Sequence, residues 1–77
     1  MELQEFVNHF AEQFEETEAA AFTPETIFRD LDEWSSLISL SVIAMVDEEY
    51  GIALKGADMR EAETIQDLFN IVQAKLA

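Results

Sequence analysis

Apolar residues recur at helical spacing in three stretches of this chain, and this pattern limits the folds open to it. A chain of 77 residues supports one core, and without cysteine it has no disulfide to staple that core. Residues 1–77 are therefore predicted to form a single all-α domain built on local contacts. The predicted apolar faces are Leu3, Phe6, Val7, Phe10 and Phe14; then Leu37, Leu40, Ile43, Val46 and Tyr50, widened by Val42; then Ile65, Leu68, Phe69, Val72 and Leu76.

Start and stop signals set the predicted helix boundaries. The first helix is expected over residues 2–16, and the second runs from a pair of serines at 35 and 36 to Gly51, a good stop residue. Thr64 is a predicted N-cap of the last helix, with Asp67 three residues on. A short extra turn is expected near Ala57–Glu61. The expected fold is a small antiparallel four-helix bundle, with three main helices, a short one and a long first loop.

The segment between the first two helices lacks sustained periodicity. Thr23-Pro24 is typical of the start of a helical turn, because proline is tolerated at a first helical position. A connection of this length is unusual in a small domain and tends to be functional. Its apolar residues are predicted to pack against the core: Phe22, Ile27, Phe28 and Leu31.

The formal net charge is −13, from 17 acidic and four basic residues. Such a surface repels the phosphates of nucleic acids and anionic membranes, so we expect neither as a partner. Proteins with basic patches are the expected partners. No basic leader begins the sequence and no apolar run is long enough to span a bilayer, so we expect a cytoplasmic protein without membrane insertion.

The sequence gives no sign of catalysis by its own residues. A calcium loop of the EF-hand type fails at its glycine and glutamate positions from both candidate starts, so no metal site is predicted. There is no Gly-x-Ser-x-Gly elbow, and the single histidine, His9, is spaced to pair with Glu5 and Glu12 on a solvated helix face. We therefore expect the chain not to be an enzyme and assign no catalytic residue.

The stretch DEWSSLISLSVIAMVDEEYG, residues 32–51, contains the residues most open to a special role. Ser35 is predicted to cap the helix by accepting a backbone N–H of the first turn. Ser36 then takes the first helical position, where a phosphate on its hydroxyl would lie in the favourable field of the helix N-terminus. Because serine is common before helices, the pattern alone favours plain capping.

The region around these serines resembles the central region of acyl carrier proteins, and the resemblance extends over nearly the whole chain. Length, charge and helix order agree with that family. The matching residues are Phe28, Asp30 and Leu31 in the lead-in; Ser36 and Leu37 at the modified serine; Asp47, Glu48, Glu49 and Tyr50 at the acidic end; Ile52 and Leu54 after it; and Thr64 to Leu68 at the last helix. The sequence departs from the pattern where Ser35 replaces an aspartate and Asp32 replaces a glycine, and one extra residue, with Trp34, separates the serine pair from Asp30-Leu31.

The resemblance implies that Ser36 bears a covalent 4′-phosphopantetheine arm, transferred from coenzyme A by a magnesium-dependent holo-acyl-carrier-protein synthase. The protein would then be a monomeric carrier of acyl thioesters in fatty acid biosynthesis. Its partners would be that synthase and fatty acid synthase enzymes with basic docking patches. The expected partner-binding residues are Asp32, Glu33, Leu37, Ile38, Asp47 and Glu48.

Three alternatives remain open from the sequence. Two of them are a carrier for an aminoacyl pathway and a carrier for a polyketide pathway, because Ile38 and Ser41 stand where fatty-acid carriers often have acidic residues at the start of the recognition helix. A third reading is an unmodified acidic helical module that binds partner proteins. Five aliphatic residues are either the lining of a cavity for the acyl chain or ordinary core: Val7, Leu40, Ile43, Val46 and Val72.

Overall fold

The computed structural model describes residues 2–76, whose regular structure is helical. Four α-helices follow in order: α1 (Leu3–Ala11), α2 (Ser36–Tyr50), α3 (Gly56–Glu61) and α4 (Ile65–Leu76). The gap between α1 and α2 contains only two short 3₁₀ turns, Ala19–Ala21 and Phe28–Asp30. Within residues 2–76 there is no β-strand, which confirms the predicted bundle of three main helices and a short one.

The core lies where α1 packs against α2 and α4, with α3 against α4. It is rich in aromatic rings, and the Phe6 ring meets that of Phe69 edge-on at 5.7 Å between centroids. None of the helices described has both the length and the apolar composition needed to cross a membrane. The largest fully buried side chains are Phe6, Val7, Phe10, Phe28, Val42, Val46, Ile65, Leu68 and Val72.

Helix α1 is shorter than the predicted 2–16, because it ends at Ala11. The amides of Gln13 and Phe14 bond to carbonyls three residues back, at 3.1 and 3.0 Å, which tightens the chain into a turn. Beyond that turn, the amides of residues 15–17 donate to the Glu33 carboxylate instead of to helical carbonyls. Phe14 is still buried, as its apolar spacing indicated.

The buried face of α2 agrees with the predicted one only in part. Val42 and Val46 enter the core as predicted, and Met45 joins them, whereas Leu37 and Leu40 are 73% and 62% exposed. The helix is apolar on most of its circumference, so periodicity alone could not select the face that packs. Its end was predicted correctly: Gly51 adopts the left-handed conformation, φ 68°, and donates to the Asp47 carbonyl at 2.9 Å.

The long connection is held by its aromatic residues and by backbone bonds to α4. Phe22 and Phe28 are buried as predicted and Leu31 packs on the core, but Ile27 is 43% exposed. Ile27 is instead held through its backbone, in an antiparallel bridge with Thr64. The Thr23-Pro24 signal forms an isolated turn rather than a helix.

Side chains cap the two C-terminal helices. Thr64 and Asp67 form the predicted capping pair, with Asp67 N donating to Thr64 Oγ1 at 3.0 Å and Thr64 N to Asp67 Oδ2 at 3.1 Å. The N–H bonds of Thr64 and then Glu63 hold the pKa of Asp67 below its ordinary value. The expected extra turn is α3, and Arg29 donates to the carbonyls at its C-terminal end, including those of Arg60 and Ala62.

Two leucine substitutions test this packing. Leu68→Ala is expected to lower the free energy of unfolding by about 2–5 kcal/mol, because Leu68 is fully buried and its truncation leaves a cavity. The matched variant Leu40→Ala should change it by no more than about 0.5 kcal/mol, since Leu40 is exposed. Urea unfolding measures both, and an equal loss in the two variants would contradict the packing of α2.

Candidate functional site

The two serines at the start of α2 have different environments. Ser35 is the N-cap, and its Oγ accepts the backbone N–H of Ile38 at 3.3 Å, as predicted. Ser36 is the first helical residue, is exposed, and makes no side-chain hydrogen bond within the described residues. The first bond of the helix runs from Ser39 N to the Ser35 carbonyl, so the Ser36 and Leu37 amides have no acceptor inside the helix. The Ser36 hydroxyl is therefore accessible and has no capping role.

Ser36 lines an open groove of about 560 Å³ together with other residues of α2 and with Gly56 at the start of α3. Serine hydroxyls and the apolar side chains of Leu40 and Ile43 both contribute to its lining. The sequence had placed both residues in a common face with Val46, but Leu40 and Ile43 line this surface groove while Val7, Val46 and Val72 belong to the core. The groove is lined by Trp34, Ser35, Ser36, Ser39, Leu40, Ile43 and Gly56.

Sequence reasoning did not assign Ser39 or Gly56 to the site. Gly56 begins α3, a helix of six residues that the sequence signals only weakly. Ser39 lies one helical turn after Ser35 and lines the groove together with Gly56. A helix-spacing argument from Ser36 could have found Ser39 and Leu40, but nothing in the pattern could have found Gly56.

Trp34 fixes the position at which α2 begins. Its ring packs on Phe28 at 4.8 Å between centroids and stacks over Phe10 and Phe14 at 6.3 Å each. The Trp34 amide also donates to the Leu31 carbonyl at 3.0 Å. The serines therefore follow a residue that is held on three aromatic neighbours, so the start of α2 has a defined place on the domain.

Glu33 organises the loop that leads into this site. Its Oε1 accepts from Glu16 N at 3.0 Å, Thr17 N at 2.9 Å and Thr17 Oγ1 at 2.8 Å, and its Oε2 accepts from Glu15 N at 2.7 Å. These bonds, with the Glu15 N–H first, hold the pKa of Glu33 below its ordinary value of 4.5. Glu33 also lines an acidic cleft of about 470 Å³ with Asp32. These bonds give Glu33 a structural role. Its predicted contact with a partner protein stays a prediction.

The other predicted partner residues fall into two groups. Asp32 and Leu37 are exposed near Ser36, whereas Ile38 is half-buried against the core. Asp47 and Glu48 are exposed on the last turn of α2, roughly 16 Å farther along the helix at 1.5 Å per residue. One helix therefore presents an exposed leucine at its start and exposed carboxylates at its end.

The histidine lies away from this site, at the junction of α1 with the end of α2. His9 faces the predicted Glu5 and Glu12 at 3.8 and 3.6 Å, and also Glu49 at 3.8 Å, which spacing along α1 could not reveal. The nearby Tyr50 hydroxyl is buried and has no hydrogen-bond partner among residues 2–76. Burial, then the charges of Glu5 and Glu49, raise the pKa of Tyr50. His9 is half-buried rather than the fully solvated group that its spacing suggested.

Two serine substitutions test whether Ser35, and not Ser36, caps α2, by measuring the stability of each variant. Ser35→Ala should lower the free energy of unfolding by about 1 kcal/mol, because the Ile38 amide loses its cap. Ser36→Ala should change the free energy of unfolding by no more than about 0.5 kcal/mol, because the Ser36 hydroxyl makes no hydrogen bond in residues 2–76. Urea unfolding of the unmodified proteins measures both, and a larger loss for Ser36→Ala would reverse the assignment.

The Glu33 bonds predict a pH-dependent stability. A carboxyl whose pKa is lower in the folded state stabilises the fold above its unfolded pKa, and the contribution is lost as the pH falls through the folded pKa. Glu33→Gln should therefore lower Tm at pH 7, and the difference from wild type should shrink as the pH falls below 4.5. Glu25→Gln, at an exposed loop position, is the control. A Tm difference between Glu33→Gln and wild type that stays constant over this pH range would contradict stabilisation of the fold by the ionised Glu33 carboxylate.

Comparison with known proteins gives no match: no protein-family model, no curated protein and no solved structure matches this chain. What the site does is therefore inferred from its own residues, their geometry and the motifs of the sequence.

Proposed function

We propose that this protein is an acyl carrier protein for fatty acid biosynthesis, with Ser36 as the attachment point of a 4′-phosphopantetheine arm. The observation that carries the proposal is the separation of the two serine roles at the start of α2. Ser35 supplies the cap, so the Ser36 side chain is exposed and has no hydrogen-bond partner in the described chain. Ser36 also lines an open groove. The resemblance of residues 28–54 and 64–68 to the carrier family supports the same assignment.

The groove fits a modification at Ser36. A group attached to Ser36 needs room beside the helix, and Ser36 lines an open groove of about 560 Å³. Serine hydroxyls near the attachment point suit the polar part of an extended arm, and Leu40 and Ile43 suit apolar parts. When bound, the arm supplies a terminal thiol that holds an acyl group as a thioester.

The loading reaction uses one atom of this chain. Ser36 Oγ loses its proton and forms an ester bond to the phosphorus of coenzyme A that carries the pantetheine. The phosphoanhydride bond of coenzyme A breaks, and adenosine 3′,5′-bisphosphate leaves. No base lies within hydrogen-bond distance of Ser36 in the described residues, so the synthase and its magnesium ion must supply the proton acceptor and the Lewis acid. The chain is a substrate and a carrier rather than an enzyme.

The charge distribution supports proteins with basic docking patches as partners. The net charge of −13 steers basic surfaces toward the domain and repels nucleic acids. Leu37, 73% exposed one residue after Ser36, offers an apolar contact, and Asp47 and Glu48 supply negative charge on the same helix. The holo-acyl-carrier-protein synthase and fatty acid synthase enzymes fit this description, with the cytoplasm as the place of action of a monomer.

Intact mass after enzymatic loading tests the proposal. Wild type, Ser35→Ala and Ser36→Ala are each incubated with coenzyme A, magnesium and a broad-specificity phosphopantetheinyl transferase. Wild type and Ser35→Ala should each gain one arm, because Ser36 is accessible in both. Ser36→Ala should gain none, because it lacks the accepting oxygen.

Circular dichroism of the three proteins confirms that each is folded before loading. No added mass in folded wild type would contradict the carrier function and would favour an acidic module that binds partners unmodified. An arm on Ser36→Ala would place the attachment point elsewhere.

A further inference from the structure

The four basic residues of this acidic chain differ in how they are engaged. Arg29 donates to three carbonyls at the end of α3, those of Met59, Arg60 and Ala62. Lys75 pairs with Asp58 at 3.5 Å. Lys55 and Arg60 are both exposed, and neither takes part in the ion pairs of residues 2–76. Of these two, Arg60 lines a groove. Its guanidinium is therefore available to an anion that is not part of the fold.

Arg60 lines a groove next to the one that Ser36 lines. This second groove, of about 240 Å³, is lined by Arg60 and Arg29 and shares three residues with the first: Trp34, Ser39 and Gly56. The two grooves are therefore neighbours on the surface, and Gly56 of α3 lines both.

The Arg60 guanidinium lies beside Gly56, the residue of α3 that lines both grooves. A Cβ built at residue 56 would lie 3.2 Å from Arg60 Nη1. The guanidinium is therefore close to the backbone at the start of α3, next to the groove that Ser36 lines.

We propose that Arg60 is a positioning residue that binds the phosphodiester joining the arm to Ser36; this inference rests on the function proposed above. A guanidinium presents several N–H donors in a planar fork that matches phosphate oxygens. The rest of the surface of a chain with net charge −13 repels the anion, so an unpaired guanidinium in the groove next to Ser36 has a large effect on where the phosphate lies. Arg60 thus directs the arm toward the groove that it lines.

Nuclear magnetic resonance of the apo and loaded protein tests this proposal directly. Loading is confirmed by intact mass, and the Nε–Hε cross-peaks of the arginines are then compared in the two forms. The Arg60 cross-peak should shift on loading, whereas that of Arg29, held by backbone carbonyls, should remain in place. The ³¹P resonance of loaded Arg60→Gln should be shifted from that of wild type, and Arg60→Lys should restore part of the difference.

Lys75→Gln is the matched control, because it removes one positive charge from a residue that lines neither groove. Its ³¹P resonance should coincide with that of wild type. An Arg60 cross-peak that does not move in protein of confirmed loaded mass, or a ³¹P resonance insensitive to Arg60→Gln, would overturn the role of Arg60 and leave the carrier function standing. Folded wild type that gains no mass would overturn both.

Discussion

The long segment between α1 and α2 has almost no regular structure, so its position depends on the contacts that hold it against the helices. Aromatic packing supplies most of that attachment: Phe14 and Phe22 meet at 4.9 Å between centroids, and Phe28 and Trp34 at 4.8 Å. The Glu33 carboxylate adds four hydrogen bonds to residues 15–17. Because Glu33 and Trp34 directly precede the serine pair, the same contacts that hold the loop also determine where α2 begins.

A fixed start of α2 gives two adjacent hydroxyls different tasks. Ser35 satisfies the Ile38 amide, as a helix N-terminus requires, and this leaves the Ser36 hydroxyl exposed and without a hydrogen-bond partner in residues 2–76. The first residue of α3, Gly56, lines the same groove as Ser36, and Arg60 of α3 lines the neighbouring one. The proposed attachment point, its groove and a positive charge thus come from two helices that are separated by only a short connection.

Local signals in the sequence predicted the features that depend on local physics. Ser35, Thr64 and Gly51 were recognised as caps because each satisfies backbone groups next to it in the chain. Features set by tertiary contact were missed. The early end of α1 depends on Glu33, far along the chain, and the buried face of α2 depends on its neighbours because Leu37 and Leu40 are as apolar as the residues that pack.

Thiol content of the protein isolated from the cells that make it tests the central claim most directly, because the chain contains no cysteine. Hydroxylamine would first release any thioester, and a thiol reagent would then be titrated against the folded protein. The carrier account predicts one thiol per chain, with fragmentation of the protein placing the added mass on Ser36. Folded protein with no thiol and with the mass of the bare chain would contradict it.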